Sequence, residues 1–216
     1  MKIIKPYTEI LTPINGVQIL KDIERVARTC YKSEDKISED DSSARELVSK
    51  LLKRGHEAMI EFGGDIVVKF ICDRGVSHEI VRHRVASYAQ ESTRYCNYSK
   101  TGEVTFIEPL WLISNNPGDS ITNGVYTEGL WKAAMEASEK AYLSLIEKGW
   151  SPQQARSVLP NSLKTEINVK MNIREWRHFF RMRTSKAAHP QMLELTIPLL
   201  KEFKSKIPIL FDDIPF

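Results

Sequence analysis

The chain has 216 residues, 42% of them hydrophobic and 27% charged, with a formal net charge of +3. These values are ordinary for a soluble globular protein, and so small a net charge argues against nucleic acid as a partner. The sequence holds no long apolar run and no signal-peptide core, so we expect neither a membrane span nor secretion. Its three cysteines cannot all pair and none has CxxC spacing, so we expect a reduced, cytoplasmic protein.

The N-terminal part of the chain predicts an edge strand, three helices and one buried strand. Residues 2–11 have weak strand character, interrupted by a proline that restricts them to a sheet edge. Apolar residues at three- and four-residue spacing predict helices over residues 15–31 and 44–54. Residues 65–72 are apolar almost throughout, which predicts a strand buried on both faces. An aspartate follows and can cap a third helix over residues 73–82.

The C-terminal part predicts further strands and helices. A short strand is expected at residues 104–107, a surface excursion at 110–129, and a long helix at 130–148. Ser-Pro at 151–152 starts a short helix. Residues 163–171 alternate between apolar and polar side chains, which predicts an antiparallel strand with one solvated face.

These elements predict an α+β fold in one domain spanning residues 1–216. We expect an antiparallel or mixed sheet built from residues 65–72, 104–107 and 163–171, packed with helices and carrying a helical appendage.

The densest group of polar side chains suited to ligand binding lies in residues 82–95, RHRVASYAQESTRY. Each arginine offers five donors in a planar fork and stays charged at physiological pH. Hydroxyl and amide side chains add neutral donors, and the combination suits a phosphate beside a heterocycle. A bare Arg-His-Arg is more often a solvated basic turn, but the full segment is far less ordinary.

A second unusual arginine lies in the predicted helix that Asn172 can cap. Trp176, Phe179 and Phe180 share one apolar face of this helix, and Arg183 falls in the middle of that face. An arginine at such a position must either extend its charge to solvent or meet an anion.

Four segments of the sequence resemble the motifs of one family, the flavin-dependent thymidylate synthases. Arg82-His83-Arg84, then seven residues, then Ser92 is similar to the family signature, and Arg94 and Tyr95 extend the match. The other three are Gly55-His56-Glu57, the ARSVLP segment at 155–160 and the NIREWRHFFRMR segment at 172–183. All four occur in family order over roughly residues 17–200.

The resemblance implies a reductive methylation that converts dUMP to dTMP. The carbon would come from methylenetetrahydrofolate and the hydride from FAD, which NADPH would reduce again. The cofactor supplies the difficult chemistry, and the protein supplies orientation and electrostatics. The resemblance also implies a homotetramer with active sites shared between subunits.

The same resemblance assigns roles to individual residues. The family arginine matching Arg183 lies against the uracil, which makes Arg183 the candidate catalytic residue, and no metal is expected. The positions implied for FAD are Arg82, His83, Arg84, Gln90, Asn172, Ile173, Arg174, His178, His56 and Ala58. The positions implied for dUMP are Glu79, Arg82, Gln90, Glu91, Ser92, Thr93, Arg94, Arg156 and Arg183.

The chain departs from the family pattern at three of these positions. Glu79 stands where many members carry Gln, so a carboxylate would lie beside the phosphate unless Arg74 or Arg82 neutralises it. Ala58 replaces a common Ser or Thr, and His178 replaces an Asn found in some members.

Two other classes of function remain open at this stage. A single-strand nucleic-acid module would use Arg82, Arg84, Arg94, Tyr88 and Tyr95 for charge and stacking, and it would bind in a strongly salt-dependent way. A nucleotide hydrolase would share only the phosphate pocket. The sequence lacks HExxH spacing, a Walker loop and GxGxxG, which makes a hydrolase the weakest alternative. We also expect no cysteine nucleophile.

Overall fold

The computed structural model describes residues 1–113 and 121–216. The strands are β1 (Lys2–Ile4), β2 (Tyr7–Ile10), β3 (Asp65–Asp73), β4 (Ser87–Gln90), β5 (Thr105–Ile107) and β6 (Lys164–Asn172). The α-helices are α1 (Gly16–Thr29), α2 (Ser42–Lys53), α3 (Arg74–Ile80), α4 (Ile121–Glu147), α5 (Pro152–Ala155), α6 (Ile173–Arg183) and α7 (Pro190–Lys206). Short 3₁₀ helices lie at Glu34–Lys36, Glu57–Gly63, Tyr98–Lys100, Leu110–Ile113 and Arg156–Val158. The α+β class predicted from the sequence is confirmed.

The described strands form two sheets, with the order β2-β3-β6-β4 in the larger one. The smaller sheet pairs β1 with β5 in parallel, with Lys2 opposite Thr105. The prediction that residues 104–107 join the main sheet as a full strand is therefore wrong. Residues 5–6 divide the predicted strand 2–11 into β1 and β2. Strand β1 pairs with β5, whereas β2 belongs to the larger sheet. Only an isolated antiparallel bridge links Phe106 to Leu163, just before β6.

The chain divides into two compact units. Unit 1 comprises Met1–Tyr7, Phe70–Arg82 and Ala89–Ile167, and unit 2 comprises Thr8–Lys69, His83–Tyr88 and Asn168–Phe216. The chain passes from one unit to the other within β2, β3, β4 and β6, and again between Arg82 and His83. The residues implied for the nucleotide fall mostly in unit 1, and most of those implied for the flavin fall in unit 2.

Unit 1 has its own hydrophobic core, in which Phe106, Met135, Tyr142 and Leu163 are buried. Helix α4 begins at Ile121, nine residues before the predicted start, so the C-terminal part of the expected surface excursion is helical. Residues 114–120 of that excursion lie outside the described residues. A glycine such as Gly129 within a helix costs about 1 kcal/mol, which neighbouring turns can outweigh.

Unit 2 buries a cluster of aromatic rings contributed by α6, α7 and the C-terminal segment. Trp176, Phe179, Phe180, Phe203 and Phe211 are each fully buried, with neighbouring ring centroids 5.0–5.8 Å apart. Rings at these separations contribute packing energy beyond the area they bury. The cluster holds α6 in place, and α6 carries several of the residues implied for the flavin.

Local signals place the start of three helices correctly. The side chains of Asn15, Asp73 and Asn172 accept hydrogen bonds from backbone N–H groups three residues ahead, at 3.0, 2.7 and 2.8 Å. Each cap satisfies a donor that the first helical turn leaves unpaired. Because Asn172 is also the last residue of β6, the strand passes directly into α6.

The two long strands differ in how they are buried. In β6 the alternation predicted from the sequence is confirmed, since Thr165, Ile167, Val169 and Met171 are buried and their neighbours are not. In β3 burial on both faces holds only for Phe70–Asp73, and the first half of the strand alternates. Among the helices described, none is long and apolar enough to cross a membrane.

Candidate functional site

The first group of predicted site residues is organised by α6 in unit 2. Arg174, Glu175 and His178 are spaced three and four residues apart, so they lie on neighbouring parts of one helix face. Arg183 ends the helix, and His83 approaches it from the segment before β4. We call Asn172, Arg174, Glu175, His178, Arg183 and His83 the α6 cluster.

Arg183 is anchored by the His83 ring. Its Nε donates a hydrogen bond to His83 Nε2 at 3.1 Å, and His83 Nδ1 lies 3.4 Å from Glu175 Oε1. An arginine Nε–H can only donate, so His83 Nε2 must be unprotonated and a neutral ring carries its proton on Nδ1. The ring itself packs against Phe179, with centroids 4.9 Å apart, and against His178 at 5.5 Å.

The surroundings of His83 favour this neutral form. Burial, the nearby Arg183 charge and His178 together lower the pKa of His83 to about 4. Its backbone is held as well, because the Tyr88 hydroxyl donates a 2.6 Å hydrogen bond to the His83 carbonyl. The α6 cluster therefore has a fixed guanidinium group at one end and a neutral histidine behind it.

We expect stability to fall as the pH drops through the range between the unfolded and folded pKa values of His83. In the unfolded chain the imidazole takes up a proton near pH 6.5, whereas the folded protein resists protonation until about pH 4. The unfolded state thus binds more protons in this window, which lowers the free energy of unfolding by about 2–3 kcal/mol at pH 4.5 relative to pH 7. Urea unfolding of the wild type and of His83→Gln, which does not titrate, measures this loss. Parallel losses in the two proteins would contradict the assignment.

A cavity of about 450 Å³ lies beside the α6 cluster within unit 2. It is lined by Glu57, Glu61, Val85, Asn172, Arg174, Glu175, His178 and Arg181. Its two guanidinium groups have carboxylate partners: Arg174 meets Glu61 at 2.5 Å and Arg181 meets Glu57 at 2.6 Å. Burial alone would raise the pKa of Glu57, but Arg181 and Arg177 outweigh it, so that pKa lies below its usual value.

These donors fit the phosphate and amide groups of a dinucleotide cofactor. Arg174 is about half exposed and lines the cavity. A phosphate that enters the cavity could replace Glu61 as the partner of its guanidinium group. Asn172, at the junction of β6 and α6, also lines the cavity. Of the ten residues implied for FAD, the cavity wall brings together Asn172, Arg174 and His178.

One set of side chains in the described part of the chain has the composition of a metal site. Ligand atoms of His83, Glu175 and His178 lie within 4.8 Å of one another. A metal on His83 Nδ1 would require the proton on Nε2, directly facing the Arg183 Nε–H. Two donors would then oppose each other next to a fixed cation, so the geometry favours Arg183 over a metal ion.

The second group of predicted site residues is the turn that follows β4 in unit 1. Here Glu91 continues the strand pairing through its N–H, which donates to the Glu166 carbonyl at 2.9 Å. Its carboxylate accepts from the Tyr98 hydroxyl at 2.8 Å and from Lys164 Nζ at 3.2 Å. These contacts of the Glu91 carboxylate stabilise the turn.

The turn presents cationic and neutral donors together. Arg156 Nη1 donates to Thr93 Oγ1 at 3.2 Å, which connects the ARSVLP segment to the signature. Ser92 lies beside them, and Arg94 is exposed with its guanidinium 5.4 Å from the Tyr95 ring centroid. The turn supplies two hydroxyls and the Arg94 guanidinium group, and the contact with Thr93 brings the Arg156 guanidinium group to it, which suits a phosphate.

The remaining predicted residues are distributed as follows. Gln90 lies in unit 1, where its amide donates to Ser77 and Thr165 at 3.0 and 3.2 Å. Ile173 is fully buried. The exposed members are Arg82, just after α3, Arg84, and His56 and Ala58 at the 3₁₀ helix Glu57–Gly63.

Glu79 is half-buried on α3, in unit 1. Arg74, suggested as its neutralising partner, directs one amine to the Glu91 carbonyl and to Thr165 Oγ1, each at 3.4 Å.

Sequence reasoning missed five residues of the site. The cavity is also lined by Glu57, Glu61, Val85, Glu175 and Arg181, none of which was a predicted site residue, although Glu57 stands in the Gly55-His56-Glu57 motif. A signal existed for Glu175, which lies three residues before His178 on one helix face. Glu57 and Glu61 are paired with α6 through contacts more than 110 residues apart in sequence, for which local patterns carry no signal.

The protein is thus an α+β protein in which two groups of residues hold guanidinium groups suited to anionic ligands. A family model described as thymidylate synthase complementing protein matches residues 17–209. The chain belongs to the flavin-dependent thymidylate synthase family.

Comparison with individual proteins supports this family assignment. A flavin-dependent thymidylate synthase of Geobacter sulfurreducens is 32% identical over 193 residues, covering 87% of this chain and 78% of its own length. One from Corynebacterium aurimucosum is 34% identical over 197 residues, covering 88% and 78%. Among solved structures, a UMP/dUMP methylase of Streptomyces cacaoi with bound 5-Br dUMP has a TM-score of 0.80 at 20% identity. It covers 98% of this chain and 96% of its own, which shows a shared fold.

Proposed function

We propose that the protein is a thymidylate synthase that converts dUMP to dTMP. Methylenetetrahydrofolate would donate the carbon, and FAD reduced by NADPH would donate the hydride. The observation that carries this proposal is Arg183, which matches the family's uracil-facing arginine and is held by a neutral, buried histidine. Membership of the family supports the flavin and the nucleotide substrate.

The α6 cluster and its cavity support flavin binding. Arg174 offers a fork for the cofactor phosphates, and Asn172 and His178 offer polar contacts on the same wall. Arg82 and Arg84 are exposed, so their charges are accessible to a ligand. FAD, when bound, supplies the hydride.

The turn after β4 supports binding of the nucleotide phosphate. Ser92, Thr93, Arg94 and Arg156 provide hydroxyl and guanidinium donors within one unit. Tyr98 and Lys164 hold the Glu91 carboxylate and the Glu166 carbonyl accepts a hydrogen bond from its backbone N–H, so Glu91 would serve the nucleotide by fixing the turn.

Arg183 would stabilise charge on the pyrimidine ring. A fixed cation against the uracil favours the form of the ring with negative charge, and a positioned donor of this kind is worth about 3 kcal/mol. The side chain is suited to the role because its Nε is already hydrogen-bonded to His83.

A cysteine nucleophile is not part of the proposal. Cys72 is fully buried, and burial together with Asp73 raises the pKa of its thiol, which disfavours the thiolate. Cys30 and Cys96 are free thiols, in keeping with a cytoplasmic location, which we also propose. We further propose a homotetramer, as the family resemblance implies.

One absorbance spectrum and one assay test the function. We expect the purified protein to be yellow and to form dTMP only when dUMP, methylenetetrahydrofolate, NADPH and flavin are all present. Leaving out each component in turn provides the controls. A colourless protein that takes up no added FAD would refute the proposal.

A further inference from the structure

Glu175 faces the nitrogen of His83 that does not hold Arg183. Its Oε1 lies 3.4 Å from His83 Nδ1, and only 12% of its side chain is exposed. The family resemblance assigns no role to this position, and the proposed mechanism has not used it.

We propose that Glu175 is a positioning residue, which keeps the His83 proton on Nδ1 so that Nε2 stays free to hold Arg183. This inference rests on the proposed function, because it explains how the catalytic guanidinium group is kept in place.

The argument follows from donors and acceptors. Neutral imidazole has one proton, which sits on either Nδ1 or Nε2. Arg183 Nε–H can be accommodated only by an unprotonated Nε2. A carboxylate oxygen facing Nδ1 stabilises that tautomer. An apolar group there would leave the buried Nδ1–H without an acceptor, so the proton would move to Nε2 and displace the Arg183 Nε–H.

The helix start does not otherwise require the Glu175 side chain. Asn172 caps α6 through the Glu175 backbone N–H at 2.8 Å, while the Glu175 carboxylate points to His83. The cap and the tautomer contact thus use different groups of one residue, so a side-chain substitution leaves the cap intact.

Two variants separate the hydrogen bond from the charge. Glu175→Gln removes the charge near the helix N-terminus but keeps a carbonyl oxygen that can accept from Nδ1. Glu175→Leu removes both, with Glu175→Ala as a second apolar variant in case Leu does not fold. We expect kcat to fall about 10- to 100-fold in the apolar variants and to stay within about threefold of the wild type in Glu175→Gln, since supporting contacts of this kind typically have effects of that size.

A direct measurement needs neither flavin nor substrate. Long-range ¹H–¹⁵N spectra of protein labelled in its five histidines report which ring nitrogen is protonated, with His83→Gln identifying the His83 signals. We expect protonated Nδ1 in the wild type and in Glu175→Gln, and protonated Nε2 in the apolar variants.

Three results would overturn the inference. These are a wild-type His83 protonated on Nε2, apolar variants with an unchanged tautomer and kcat, and a Glu175→Gln protein as impaired as the apolar ones. A wild-type protein that makes no dTMP but shows the expected tautomers would refute the proposed function and not the hydrogen-bond arrangement.

Discussion

Arg183→Ala should reduce dTMP formation about 100- to 1000-fold while FAD remains bound. The substitution removes the cation proposed to face the uracil and leaves His83 Nε2 without the donor that now lies 3.1 Å away. The flavin should stay because Arg174, Asn172 and His178 line the cavity independently of Arg183. Steady-state rates and the flavin content of the purified variant measure both effects.

Two further variants sharpen this test. Arg183→Lys keeps the charge but replaces a planar fork with a point charge, so it cannot reproduce the Nε contact and should recover only part of the rate. Arg25→Ala removes an exposed arginine on α1 and serves as the matched control, with unchanged kcat. A normal turnover rate in Arg183→Ala would eliminate Arg183 as the catalytic residue.

Arg177→Ala should lower the free energy of unfolding by about 3–5 kcal/mol. The Arg177 side chain is only 1% exposed, and its two terminal amines each meet the Asp213 carboxylate at 2.8 Å. The same guanidinium group also binds Glu57 at 3.1 Å and the Leu210 carbonyl. Truncation would leave the Leu210 carbonyl without this donor, take the buried partner from Asp213 and Glu57, and open a cavity beneath α6.

Arg181 provides a matched control on the same helix. It also bonds Glu57 and Asp213, but 41% of its side chain is exposed, so Arg181→Ala should cost less than about 1 kcal/mol. Urea unfolding of both variants at pH 7 gives the comparison. Equal losses would mean that burial of Arg177 is not what makes its ion pairs important.

The effect on stability has a functional counterpart, because α6 carries Arg174, Glu175, His178 and Arg183. A variant that loosens the contact between α6 and the C-terminal segment should therefore also shift the α6 cluster. We expect Arg177→Ala to bind FAD less tightly even at temperatures where it remains folded.

Features that depend on neighbouring residues were predictable from the sequence. The caps at Asn15, Asp73 and Asn172 act over three residues, and the alternation of β6 follows from the two-residue period of a strand. The signature residues were identified because their types and spacing match a family pattern. These signals depend only on residues close together in sequence, so they can be read without knowing the tertiary structure.

Strand β4 was not predicted, because it is short and lies within a polar segment whose pairing with β6 supplies its order. The prediction that β5 belongs to the main sheet was also wrong. No local sequence pattern distinguishes a strand that pairs in parallel with β1 from one that joins the larger sheet. Periodicity drew attention to Arg183, which proves half-buried, whereas Arg177 is the fully buried arginine of α6.

The chain's own order of residues thus determined the helices, the main strands and the family motifs, since these depend on interactions over a few positions. Only the tertiary structure decided which polar side chains meet: the neutral His83 with Arg183 across 100 residues, and Arg177 with Asp213 across 36. The physical reason is that a buried charge is stable only beside its partner, and the partner is brought there by the packing of distant segments.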